Sequence, residues 1–120
     1  MKIGINCGHT ISGPGFGAVG IIGESENTRL VGYNLMDKFG AAGVSVVDCT
    51  IDEAESQSAY LAKSVEMANA DNLDWFISIH FNASTMRAMV SRYTLMRAGS
   101  TRMPWRYARI SRRSDSKTAV

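Results

Sequence analysis

The chain carries two histidines, His9 and His80, and each follows an apolar run that reads as a β-strand. Residues 1–8 (MKIGINCG) lead into His9, and residues 73–79 (LDWFISI) lead into His80. If these strands are parallel neighbours in one sheet, both imidazoles emerge at the same edge, and open parallel sheets bind ligands beyond the carboxyl ends of their strands. Two imidazoles and a carboxylate form the donor set of a hydrolytic zinc centre, which acidifies a water and polarises a carbonyl. Glu24 is the candidate carboxylate, in the expected first turn of a helix that starts at that edge, where the helix dipole favours an anion. Glu26 competes with it but points about 200° away around the helix, so only one of the two can face a shared metal. Readings without a metal stand beside this one: a strand-end histidine is often a hydrogen-bonded surface residue, and Glu24 could be an ordinary first-turn acid. Cys7 is a further candidate ligand, two residues from His9. The alternative is that Cys7 and Cys49 are small buried hydrophobes with free thiols, since two cysteines are too few for a disulfide framework.

The elements that would position these residues alternate regularly. Lys2–Cys7 reads as a strand, followed by a glycine-rich loop over 8–23. A helix is expected over 24–39, with Thr28, Val31, Leu35, Phe39 and Ala42 on one stripe and stop signals at Gly40 and Gly43. Residues 44–49 (VSVVDC) read as a strand, 53–69 as a helix with Ala54, Leu61, Val65 and Ala68 on one face, and 73–79 as a third strand. Strand, helix, strand, helix, strand predicts an α/β fold, a parallel sheet core with helices on both faces. Within the third strand, alternation puts Trp75, Ile77 and Ile79 on one face and Phe76 and Ser78 on the other.

A chain of 120 residues fits one domain with a modest core. No apolar run approaches the roughly 20 residues of a membrane span, and the first residues lack the apolar stretch of a signal peptide. Synthesis in the cytoplasm without a leader and no membrane partner are therefore expected; no feature sets an oligomeric state. The net charge of +2 hides a break near Ser84. Residues 1–84 hold four basic against ten acidic residues, and residues 85–120 hold eight arginines and Lys117 against Asp115 alone. The last glutamate is Glu66. Arginine recurs at Arg87, Arg92, Arg97 and Arg102, a spacing that fits neither helix nor strand, and a short strand over 90–95 carries only a weak signal.

KIGINCGH at 2–9, GAVGIIGE at 17–24, VVDCT at 46–50 and SIHFNAS at 78–84 resemble the zinc-dependent N-acetylmuramoyl-L-alanine amidases of the type 3 family, found as endolysin and autolysin catalytic domains. The resemblance covers residues 1–84 in order. It implies a peptidoglycan substrate, cleavage of the amide between N-acetylmuramic acid and L-alanine, zinc as cofactor, and action at the cell wall after export or holin-assisted release. It also implies that His9, Glu24 and His80 are the zinc ligands, which favours Glu24 over Glu26. The family then continues through further strands and helices, one of which delivers a glutamate acting as general base. No residue after Glu66 matches it, so the resemblance implies a domain truncated relative to the family, with impaired turnover.

The division expected is therefore an amidase-like part over 1–84 and a basic, poorly patterned tail over 85–120, as a reading-frame shift near Thr85 would produce. Met89–Thr94, written with the codons ATG GTG TCG AGG TAT ACA and read one base earlier after an A, becomes Asn-Gly-Val-Glu-Val-Tyr, the strand this family has after its second histidine. Three other readings compete. An inactive zinc-binding remnant would leave internal strands as open edges. A dinucleotide-binding α/β domain is suggested by Gly15-Phe16-Gly17-Ala18-Val19-Gly20, with Asp48 as the ribose acid, although the glycines start eight residues beyond Cys7 and end before the helix. A nucleic-acid module would use the arginines with Tyr93, Trp105 and Tyr107; no specific nucleic-acid partner is expected, because a tail without selected function has the same composition.

Overall fold

Alternating apolar residues build the sheet, and two glycine-rich or polar connections open at one of its edges. The computed structural model describes residues 1–20, 22–70, 72–82, 90–97 and 108–110, with side chains through Phe81. The elements are β1 (Lys2–Cys7), α1 (Glu24–Ala41), β2 (Ser45–Asp48), α2 (Gln57–Ala70), β3 (Trp75–Asn82), β4 (Val90–Arg97) and β5 (Ala108–Ile110). The sheet order is β2-β1-β3-β4-β5. β1 pairs in parallel with β2 on one side and β3 on the other, in the register Cys7 to Ile79 at the carboxyl end. β4 then runs antiparallel along β3, and β5 antiparallel along β4.

Both faces of the parallel core are covered, as the β-branched strands predict. On one face Ile3, Ile5 and Ile79 are buried, with Val31, Leu35, Met36 and Phe39 of α1 packed on them beside Trp75 and Ile77. On the other, Cys49, Leu73 and Phe76 pack with Ala68 and Met67 of α2. Ile5 and Ile79 are wholly removed from water, a burial that contributes about 1.5–3 kcal/mol for each such side chain. α1 ends in a Schellman motif: the Gly43 N–H donates to Gly40 O and the Val44 N–H to Phe39 O, both at 3.0 Å. Gly43 takes φ 76°, which a glycine tolerates without a Cβ penalty, so Gly43 stops the helix while Gly40 lies inside it.

Three features differ from the expectations. β3 does not stop before His80 but runs to Asn82, because β4 supplies a ladder along its whole length and pairs Arg92 with His80. The weak strand signal over 90–95 thus belongs to a strand of the same sheet, and β3 is not an open edge; β2 and β5 are the outer strands. α2 begins at Gln57 rather than residue 53, since the Ser56 hydroxyl accepts the Ala59 N–H at 3.1 Å and caps the helix there. Of the expected apolar stripe Ala68 is buried, as is Tyr60, while Leu61 and Val65 are exposed. Among the described residues no helix is long and apolar enough to cross a membrane. The side chains of the arginine-rich tail lie outside the described residues.

Candidate metal centre

His9, Glu24 and His80 meet at the carboxyl edge of β1 and β3. Each offers a ligand atom, and these atoms all lie within 4.8 Å of one another. His9 follows β1 by two residues, Glu24 is the first residue of α1, and His80 stands in the last part of β3. Glu24 Oε1 lies 3.1 Å from His9 Nε2 and 3.4 Å from His80 Nδ1. The two rings stand edge to face with centroids 4.7 Å apart. Glu26, two residues on, is exposed and outside the cluster.

Local hydrogen bonds fix each member. Glu24 is nearly buried, and its carboxylate accepts the Phe81 N–H at 3.0 Å through Oε1 and the Ala18 N–H at 3.3 Å through Oε2. The Ser25 hydroxyl accepts the Gly17 N–H at 3.0 Å, so the end of the glycine loop is strapped to the start of α1. Gly8 permits the close approach of His80: a Cβ at residue 8 would overlap the imidazole and the Ile79 carbonyl. Burial pushes the His80 imidazole below its ordinary value; proximity to His9 acts in the same sense and Glu24 opposes it. His80 therefore presents a neutral ring at neutral pH, the form that ligates metals.

The donor set fits a cation. His9 Nδ1 lies 3.1 Å from Gly15 O, and since a carbonyl only accepts, Nδ1 carries the hydrogen in that contact. Nε2 then faces the Glu24 carboxylate at 3.1 Å, a contact that a bound cation or a proton on Nε2 satisfies. A ring fixed through its other nitrogen is also the usual support of a metal-ligating histidine.

Cys7 is not part of the cluster. It is wholly buried against α1, and its thiol is raised above its ordinary value, chiefly by burial. The dinucleotide geometry is absent as well. Gly20 lies before α1, whose first N–H, that of Glu24, donates to Ala18 O at 3.0 Å. The Asp48 carboxylate is engaged with the Thr50 N–H at 2.9 Å.

Sequence reading missed two buried polar residues that support the cluster, Arg29 and Tyr60. Arg29 donates to the Asp52 carboxylate, to Ser25 O and to His9 O; the Tyr60 hydroxyl accepts the His9 N–H at 2.9 Å. The available signal was that Ser25, Thr28, Arg29 and Gly32, small or polar, occupy the buried stripe of the first turns of α1.

An α/β protein with a parallel core and a His-Glu-His cluster at its carboxyl edge is the class that these elements define. The family model described as N-acetylmuramoyl-L-alanine amidase (Amidase_3) matches residues 3–116, and the chain belongs to that family. The match continues past Ser84, beyond the motifs that carry the resemblance. The chain is 36% identical over 83 residues to the uncharacterized protein CPE1502 of Clostridium perfringens, covering 68% of this chain. It is also similar to the solved catalytic domain of the CD27L endolysin targeting Clostridia difficile, at TM-score 0.61 and 29% identity over 73% of this chain. The chain spans 23% of the length of the first relative and 51% of the second.

Proposed function

We propose that this chain is a peptidoglycan hydrolase domain of the zinc-dependent type, directed at the N-acetylmuramoyl-L-alanine amide, with His9, Glu24 and His80 as zinc ligands. The observation that carries the reading is the convergence of three ligand atoms within 4.8 Å at the carboxyl edge of the sheet. Zinc bound there supplies a Lewis acid for the scissile carbonyl and lowers the pKa of a water. Glu24 provides the anionic ligand, His80 a neutral one, and Gly15 O orients the His9 ring. The family description and the endolysin neighbour support the substrate class and a site of action at the cell wall, reached by export or by holin-assisted release.

The same reading includes impaired turnover. A base that takes the proton from the attacking water typically contributes about 10²–10⁴-fold. No glutamate follows Glu66 in these 120 residues to match the family's base. Zinc binding with little release of L-alanine amino groups from purified cell walls is the expected outcome. Turnover equal to that of an intact family member would overturn the impairment and make Glu26 the first candidate base. Absence of stoichiometric zinc would overturn the metal assignment.

The division into an amidase-like part over 1–84 and a basic tail over 85–120 is likewise a proposal, motivated by the charge switch at Ser84. β4 and β5 lie beyond that point in the same sheet. Sequencing the gene decides it: a frame offset by one base that encodes a glutamate-bearing strand supports a frame shift, and its absence refutes one.

A further inference from the structure

His9 is one of two non-glycine residues with positive φ among those described, at 69°. An L-residue disfavours that conformation because its Cβ crowds the backbone, and it persists only where the surroundings enforce it. The enforcing groups are visible. The His9 N–H donates to the Tyr60 hydroxyl of α2 at 2.9 Å, and the His9 carbonyl accepts from Arg29 Nη2 of α1 at 3.1 Å. Both side chains are buried, at 4% and 6% exposure, and both are anchored in turn. The Tyr60 hydroxyl donates to Asn6 Oδ1 at 3.3 Å, and Arg29 is held by Asp52 at 2.7 Å and by Ser25 O at 2.9 Å. Helices from the two opposite faces of the sheet thus grip the two peptide groups of one residue.

We infer that Arg29 and Tyr60 are positioning residues of the metal centre, clamping His9 in its left-handed conformation so that Nε2 faces Glu24. If either grip is lost, φ relaxes toward negative values, the Cα–Cβ bond swings, and Nε2 leaves the cluster. The inference rests on the metal reading proposed above. It assigns to Tyr60 and Arg29 an effect on metal affinity that exceeds their effect on folding.

The test compares the 120-residue protein with Tyr60→Phe, Arg29→Lys and Asp52→Asn. Asp52 is a surface carboxylate, so its variant keeps the fold while loosening Arg29. Ile3→Val serves as the control, trimming the core at the far end of β1. Zinc affinity is measured by competition with a chromophoric chelator, geometry by the visible absorption of bound Co(II), and folding by thermal melting of the metal-free forms. Tyr60→Phe and Arg29→Lys should bind zinc roughly 10–100-fold more weakly, the range typical of residues that support a ligand, with a changed Co(II) spectrum. Asp52→Asn should fall between them and the parent, and Ile3→Val should lower the melting temperature but keep affinity and spectrum. Parental affinity and spectrum in Tyr60→Phe and Asp52→Asn would overturn the clamp, and so would losses that merely track melting temperature across all variants, Ile3→Val included. No metal binding by the parent would overturn the metal reading itself, and the clamp with it.

Discussion

Glu24 Oε1 accepts the backbone N–H of Phe81 at 3.0 Å, so the first residue of α1 is fastened to the residue that follows His80. One oxygen is thereby aimed at both imidazoles, and neither Glu26 nor any other described carboxylate shares that position. Glu24→Gln and His80→Ala should each abolish stoichiometric zinc after dialysis, a loss larger than the roughly 10–100-fold of a supporting residue. Glu26→Gln should retain it. Elemental analysis of the dialysed proteins checks the set, and equal loss in both glutamine variants would show the carboxylate to be wrongly assigned.

Two glycines should respond to alanine with opposite signs. At Gly8 a Cβ meets the His80 ring and the Ile79 carbonyl, and the latter belongs to backbone that cannot step aside. Gly8→Ala should destabilise by about 1–3 kcal/mol or more, as overpacking does, and should also weaken zinc binding. At Gly40, inside α1, a Cβ meets nothing within 4 Å. Gly40→Ala should stabilise by about 0.5–1 kcal/mol through helix propensity and a less flexible unfolded chain. Urea denaturation of the metal-free proteins reads both.

The three parallel strands, α1 and the two histidines carry strong local signals in the sequence, whereas Glu24 was separated from Glu26 only by the family resemblance. β-branched alternation marks those strands, and glycine and histidine fall at or near their carboxyl ends. α2 was less legible. Ala54 extended an apolar stripe backward past Ser56, whose capping role depends on a hydroxyl and not on hydropathy. Tyr60, the buried residue of that helix that reaches the cluster, lies one position from the exposed, more apolar Leu61. Arg29 escaped notice because a charged residue on a helix reads as solvated, whereas here carbonyls and Asp52 satisfy its guanidinium in a buried position. Pairing of β4 with β3 is a long-range event that the weakly patterned residues 90–97 did not announce.

Asn6 is the hub of a second buried polar group. Its Nδ2 donates to Cys49 O at 2.8 Å, and its Oδ1 accepts from Tyr60 and Ser78. Asn6→Ala would leave the Cys49 carbonyl and two hydroxyls without this partner, at a cost of about 1–3 kcal/mol for a buried unsatisfied group. The midpoint of urea unfolding should fall with no change in its slope. A midpoint equal to the parent's would mean that water or rotation replaces these bonds.

Burial raises the Cys7 thiol, so the folded state holds that proton more tightly than the unfolded chain. With the folded value above the unfolded one, the associated stability is intact below the ordinary thiol range of about 8.5 and is lost as pH rises through the folded value. Stability of the parent should therefore decline in alkali more steeply than that of Cys7→Ala. In the native protein at pH 8, a thiol reagent should modify Cys7 and Cys49 slowly, and both at once in guanidinium. Rapid labelling of the native protein would contradict their burial.

β1 sits between β2 and β3, although both follow it in the sequence. The Ser78 to Asn6 hydrogen bond closes over 72 positions of sequence, and His80 arrives later still. During translation the amino-terminal strand and its two covering helices must wait, one lateral edge unpaired, until β3 emerges and inserts beside β1. Long-range parallel pairing of this kind is slow and leaves an aggregation-prone edge exposed in the meantime. The three-residue cluster cannot exist in any nascent chain shorter than that. Its formation waits on β3, with β4 and β5 still to follow in the sequence and complete the sheet.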